Sequence, residues 1–336
     1  MKILAFLFLS LACYFSSSEI IGLRPSHFPK PNYSFNSSLE SILLGRALFY
    51  DPLLSLDGTI SCASCHSPYN AFAHTDHAVS HGISDSIGTR NAPALFNLAW
   101  QRELMWDGAT NHIEMQALAP ISHPREMGES LPNVLSKLQK SGIYPNLFRA
   151  AYGDTFITSQ RMLKALSAFQ LSLVSANAKY DRVVQKIDSF TSQEKAGYQL
   201  FKIRCNSCHT EPLFTNHSYK NNGLKMDPDI KDMGRYAVTL QAADSFHFKV
   251  PSLRNLSYTY PYMHDGRFQK INEVLNHYTD GIHNTIHLSK ELQQSIKLSS
   301  TEKVDLTAFL LTLNDQEFIL TKTNKYPIKI LKPEQK

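Results

Sequence analysis

Apolar residues recur at three- and four-residue spacing in five segments of the chain, a pattern that predicts helices joined by irregular stretches. Ser38–Tyr50 carries Leu39, Ile42, Leu43, Ala47 and Leu48. Ser159–Ser175 carries Met162, Leu163, Leu166, Phe169 and Leu173 and reads as a packing helix between two halves. Thr191-Ser192-Gln193-Glu194 and Ser299-Ser300-Thr301-Glu302 are capping-box patterns, in which the Ser or Thr and the Glu close each other's free amides. The first predicts a helix with Tyr198, Leu200 and Phe201, the second one with Val304, Ala308 and Leu311. Ile271, Val274, Leu275 and Tyr278 form a fifth stripe, and the residues after about Lys322 read as a tail. Alternating strand patterns are scarce, so the expected fold class is mainly α.

A length of 336 residues, with 43% hydrophobic and 19% charged, suits about two globular domains. The formal net charge of +5 is spread without basic blocks, so nucleic acid is not an expected partner. Lys2, the apolar run Ile3–Ala12 and the small residues Ser16–Ser18 form an export signal, residues 1–18, too short to span a bilayer. A periplasmic location follows. Ser10-Leu11-Ala12-Cys13 also resembles a lipoprotein processing site, with residues 1–12 as signal and Cys13 as a lipidated amino terminus. Otherwise Cys13 is discarded with the signal.

The four remaining cysteines fall in two frames, Cys62-Ala63-Ser64-Cys65-His66 and Cys205-Asn206-Ser207-Cys208-His209. Both read C-x-x-C-H, the attachment frame of c-type haem. Two thiols at this spacing meet the two vinyl groups on one porphyrin edge, and the adjoining imidazole reaches the iron. A lone C-x-x-C in an exported chain would read as a disulfide. Two complete copies point instead to two covalent haems, with His66 and His209 as axial ligands.

The duplication extends beyond these frames. Arg90-Asn91-Ala92-Pro93-Ala94-Leu95-Phe96-Asn97 and Trp106-Asp107-Gly108 follow the first; Val250-Pro251-Ser252-Leu253-Arg254-Asn255 and His264-Asp265-Gly266 follow the second. Counting fourteen residues on from Trp106 reaches Pro120, and fourteen on from His264 reaches Tyr278. Proline has no side-chain donor, whereas a phenol oxygen binds iron. The first iron is therefore expected to be open and the second capped. Tyr278 shares the inward stripe, which equally suits a buried core aromatic. His277 lies about 100° around the helix and is expected to be solvated; Met263 and no sixth ligand are the other readings.

With C-A-S-C-H, G-T-R-N-A-P-A-L, W-D-G, Q-A-L-A-P-I-S-H-P-R-E-M, V-P-S-L-R-N and Y-M-H-D-G, the chain from about Leu44 to Leu313 resembles the bacterial di-haem cytochrome c peroxidases and their MauG-type relatives. The resemblance implies two cytochrome c-like helical domains: residues 19–185 around a peroxidatic haem and 186–322 around an electron-transfer haem, with 323–336 as a tail. It implies Glu126 as distal acid/base, Gln116 as its polar neighbour and Trp106 as the aromatic between the haems. It also implies a Ca2+ site from the Asn91 side chain and the carbonyls of Thr259 and Pro261, and His81 as a resting-state ligand of the first iron. Taken alone, Glu126 would read as a surface residue and Trp106 as core.

The expected activity is reduction of H2O2 to water at the His66 haem, with electrons from a small cytochrome c or cupredoxin entering through the second. Tyr278 departs from the peroxidase pattern, which has Met there, and resembles the MauG-type branch that oxidises a protein or small molecule. A di-haem electron carrier without peroxide chemistry is the third reading. The oligomeric state, a homodimer included, stays open.

Overall fold

The structure, a computed structural model, describes residues 24–332; the expected export signal and Cys13 lie outside the described residues. It is mainly helical. In chain order the helices are α1 (Leu39–Tyr50), α2 (Cys62–Cys65), α3 (Ile113–Gln116), α4 (Leu118–Ser122), α5 (Leu131–Lys140), α6 (Tyr144–Tyr152), α7 (Ser159–Ser172), α8 (Lys179–Val184), α9 (Ser192–Arg204), α10 (Tyr236–Thr239), α11 (Ile271–Asn276), α12 (Ser300–Leu311), α13 (Gln316–Leu320) and α14 (Ile328–Leu331). Among the described residues one short antiparallel ladder pairs β1 (Tyr219–Lys220) with β2 (Phe248–Lys249), Tyr219 opposite Lys249.

Two helix pairs form the two cores, and a glycine sets each crossing. A Cβ on Gly45 of α1 would collide with the Ala165 carbonyl of α7, and one on Gly197 of α9 with the Asp305 carbonyl of α12. Only hydrogen permits that approach. The fully buried Phe49 and Phe169 meet beside the first crossing, Phe201 and Phe309 beside the second. Ser38 caps α1 by accepting from the Ser41 amide, and the capping boxes at Thr191/Glu194 and Ser299/Glu302 form as the sequence predicts.

Three expectations change. The α12 stripe is rotated: Val304 and Leu311 are exposed, while Leu306, Phe309 and Leu310 are buried. The close approach at Gly197 dictates which face turns inward, and the heptad-like spacing alone does not. Helix α7 lies inside the first core rather than between the halves. Just after it lies Ser175, whose backbone is held by both ends of the Asn97 carboxamide while its hydroxyl accepts from Asn255 and donates to Asp315. Residues 323–332 pack against the first core instead of trailing away. Arg46 Nε donates to the Lys325 carbonyl at 2.7 Å, Tyr326 meets Tyr50 edge-on, and Ile330 and Leu331 join Phe318 and Ile319 on that core.

Candidate functional site

Helix α2 is one short helical turn closed by Ser61 and Ser64, and His66 caps it, its amide bonded to the Cys62 carbonyl at 2.9 Å. His209 makes the same bond to Cys205, also at 2.9 Å. The i to i−4 geometry brings each imidazole beside its own pair of thiols. His66 Nδ1 donates to the Phe72 carbonyl at 2.8 Å, and His209 Nδ1 to those of Phe214 and Pro251 at 3.2 and 3.1 Å. Phe72 and Phe214 both adopt left-handed φ (60° and 55°), a non-glycine conformation costing about 1 kcal/mol that aims their carbonyls at the ring. Burial holds both imidazoles down at about 4. Each is therefore neutral with Nδ1 committed, which leaves Nε2 as a metal donor.

All four thiols are free rather than disulfide-bonded. Burial pushes Cys62 up to about 12, Cys65 to about 11 and Cys205 to about 12. Paired unbridged thiols next to an oriented imidazole are the donor set that haem c requires, so the residues fit the group. Cys62, Cys65 and His66 would hold one haem, Cys205, Cys208 and His209 the other. Among the described residues no three His, Cys, Asp or Glu side chains converge as a separate metal site.

The environments of the two frames differ. The Glu126 carboxylate lies near enough to Cys62 and Cys65 for its charge to act on both thiols. Burial raises its own pKa, and His123, with Nδ1 4.0 Å away, pulls partly the other way. Gln116, buried at the end of α3, accepts from Gln170 Nε2 at 3.2 Å. The loop carrying His81 leans on this region: Cys65 Sγ donates to the His81 carbonyl, and Ile83 N to that of Glu126. The His81 ring itself stacks on His77 at 4.0 Å and bonds Asp85 through Nδ1 at 2.9 Å.

The x-Asp-Gly turns are conformational copies. Met105 and Met263 (φ 67° and 74°) and Gly108 and Gly266 (φ 77° and 69°) match, and the bridges Leu104–Thr110 and Tyr262–Phe268 close equivalent loops. The ruler from Trp106 to Pro120 and from His264 to Tyr278 thus starts from equivalent points. The Tyr278 phenol lies close to Cys205 and Cys208; burial pushes it up to about 12, and a hydrogen bond from Asn222 opposes that rise.

His277 is a correction. It is buried, and its Nε2 bonds the Asn222 carbonyl at 3.0 Å. The α-helix ends at Asn276 and a π-turn, His277–Gly281, follows, but Asn276 and His277 keep α-helical dihedrals, so the 100° step holds and His277 is buried because the Asn222 carbonyl and the Phe268 ring cover that face of the helix. Asn222 Nδ2 also lies 3.5 Å from Met263 Sδ. Asn222 thus touches all three candidate axial donors.

Trp106 Nε1 donates to the Asn91 carbonyl at 2.8 Å, and the Trp106 carbonyl accepts from Lys249 N at 2.7 Å, so the indole is fixed where the halves meet. Arg90 clamps the same seam, bonding Asp107 at 2.6 Å and Asp232 at 2.5 and 2.8 Å. His264 stacks flat on Phe248, and its carbonyl accepts the Asn91 amide. The Asn91 side chain donates to the Ala78 carbonyl at 3.0 Å. Thr259 closes a short turn and Pro261 follows a cis peptide; no hydrogen bond ties either to Asn91 among the described residues. Gln170 and Asn222 carried no sequence signal as site residues: one lies inside an amphipathic stripe, the other in an Asn-Asn-Gly turn.

A mainly helical, internally duplicated chain with two C-x-x-C-H frames of unlike surroundings has the makings of a di-haem c-type cytochrome. A family model described as "Di-haem cytochrome c peroxidase" matches residues 39–189. The chain is 38% identical to the "Methylamine utilization protein MauG" of Methylophilus methylotrophus, over 87% of each chain. It is 31% identical to the "Cytochrome c551 peroxidase" of Nitrosomonas europaea, over 92% of this chain and 90% of that one. A crystal structure of "a MauG-like protein associated with microbial copper homeostasis" superposes with a TM-score of 0.78 at 30% identity, covering 90% of this chain and 98% of the other. The chain belongs to the di-haem cytochrome c peroxidase/MauG family, and it is an oxidoreductase.

Proposed function

We propose that the protein reduces H2O2 to two waters at the Cys62/Cys65/His66 site, taking two electrons and two protons. The observation that carries this reading is the contrast between the frames: an acid-base carboxylate, Glu126, neighbours the first, and a phenol, Tyr278, neighbours the second. When bound, haem c supplies a redox-active Lewis acid to which peroxide can coordinate. Glu126 takes a proton from the near peroxide oxygen and returns it to the far one, so that water leaves. Partial burial raises its pKa, the direction that lets one carboxyl both take and return the proton. Gln116 orients the peroxide without titrating, and Trp106 bridges the seam through which electrons pass.

On this reading residues 19–185 are the peroxidatic half and 186–322 the electron-transfer half, in which Tyr278 would supply an oxygen donor to the haem held by Cys205, Cys208 and His209. The donor is a small redox protein, a cytochrome c or cupredoxin, met in the periplasm, with lipid attachment through Cys13 as a variant. His81 would become the resting ligand by leaving Asp85. A calcium ion would take the Asn91 oxygen, turned away from Ala78 by the amide's own bond, with the Thr259 and Pro261 carbonyls. Stoichiometric H2O2 should oxidise the reduced holoprotein rapidly, and slow or absent oxidation would reduce it to an electron carrier.

Tyr278 and the MauG similarity favour a second reading, oxidation of a protein or small-molecule substrate. A phenolate disfavours reduction of its iron, so the second centre would accept electrons reluctantly and share oxidising equivalents more readily. Multiple turnover with reduced cytochrome c or cupredoxin separates the two.

A further inference from the structure

Gln170 lies two residues from the end of α7, 3% exposed, and its Nε2 donates to Oε1 of Gln116, itself 8% exposed. Its own Oε1 is buried without a partner. A carboxamide has its acceptor and donors on opposite ends, so engaging the Gln116 oxygen turns the Gln116 NH2 the other way. The reversed pairing, with both amides flipped, would bury the Gln170 NH2 with neither proton bonded. A lone carbonyl is the more tolerable orphan. The pair therefore has a preferred polarity.

We propose that Gln170 is a positioning residue that fixes Gln116 as a hydrogen-bond donor toward the oxygen ligand of the first site. The inference rests on the reading of Gln116 as a distal residue. A donor is the chemistry that complements Glu126: the carboxylate takes the peroxide proton while the amide N–H holds an oxygen lone pair. A reversed Gln116 would present a second acceptor and compete for that proton. The orphaned Gln170 oxygen is suited to an ordered water, the usual partner of a buried unpaired carbonyl.

The test uses the holoprotein and fluoride, an anion that binds ferric haem and responds to a nearby donor. Gln116→Met and Gln170→Met should each weaken fluoride binding about tenfold, the scale of one hydrogen bond, and the double variant should be no weaker than either single one. Gln170→Leu repeats the measurement should Gln170→Met lose haem or fold. Unchanged fluoride affinity in the Gln170 variants, or losses that add in the double variant, would overturn the assignment. Peroxide consumption is read separately: coupled fluoride losses in a protein that does not consume H2O2 would sink the peroxidase reading and leave Gln170 in its role.

Discussion

The amide of Ile83 donates a 2.8 Å hydrogen bond to the main-chain carbonyl of Glu126, which ties the loop that follows His81 to the segment carrying the candidate acid-base. Gly82 sits in the contact, where a Cβ would strike the Arg125 carbonyl and the Glu126 backbone. Gly82→Ala is expected to cost about 1–3 kcal/mol through forced displacement and to lower kcat/KM for H2O2 while leaving the Glu126 carboxyl chemically intact. Denaturant unfolding and peroxide kinetics on the holoprotein check both; a variant unchanged in both would refute the coupling.

Glu126 must be ionised to accept the first proton. Because burial raises its pKa, kcat/KM for H2O2 should fall on acidification through a value above the ordinary glutamate range. Protonated His123 opposes that rise, so His123→Ala should move the acid limb to higher pH. Glu126→Gln should lose roughly a hundredfold or more in rate and abolish the limb. A pH profile identical in Glu126→Gln would remove the acid-base role.

Three donors converge on Asn222, but only one is expected to bind the second iron. Tyr278→Phe should abolish a phenolate-to-iron charge-transfer band and raise the midpoint potential. His277→Ala and Met263→Leu should leave the band in place. Asn222 lowers the Tyr278 pKa against the burial that raises it, so Asn222→Leu should make the tyrosinate form harder to reach. A spectrum indifferent to Tyr278→Phe would hand the position to another donor.

Arg254 and Asp181, both fully buried, pair through 2.7 and 2.8 Å contacts, and His27 adds a third bond at 2.8 Å. Burial disfavours the Asp181 charge, but Arg254 and His27 outweigh it and hold the pKa below the usual carboxylate value. A depressed folded pKa contributes stability that is present above the unfolded carboxylate pKa and is lost as pH falls through the folded one. Arg254→Met should cost about 3–5 kcal/mol, since it strands a buried carboxylate, and the loss should shrink on acidification. Urea unfolding against pH measures both; a pH-independent loss would contradict the pairing.

The caps at Thr191 and Ser299, the repeated x-Asp-Gly turns and the two attachment frames were legible because each depends on residues within a few positions of one another. Backbone hydrogen bonding and covalent reach act at that range, so spacing alone specifies them. The outward face of α12, the inward turn of His277 and the docking of residues 323–332 were not legible. A helix face is chosen by what approaches it, as the Asp305 carbonyl approaches Gly197 and the Asn222 carbonyl and Phe268 ring cover His277.

The sequence by itself determined that this chain has two C-x-x-C-H frames in duplicated settings and that Pro120 and Tyr278 stand the same number of residues after their x-Asp-Gly turns. Only the tertiary structure decided which side chains stand around each frame: Gln170 behind Gln116, and Asn222 among Met263, His277 and Tyr278. These partners lie tens of residues apart, and their hydrogen bonds form only after helices such as α3 and α7 have buried their apolar faces against each other. Local pattern specifies the elements, while the polarity of a buried amide or the burial of a phenol depends on everything packed around it.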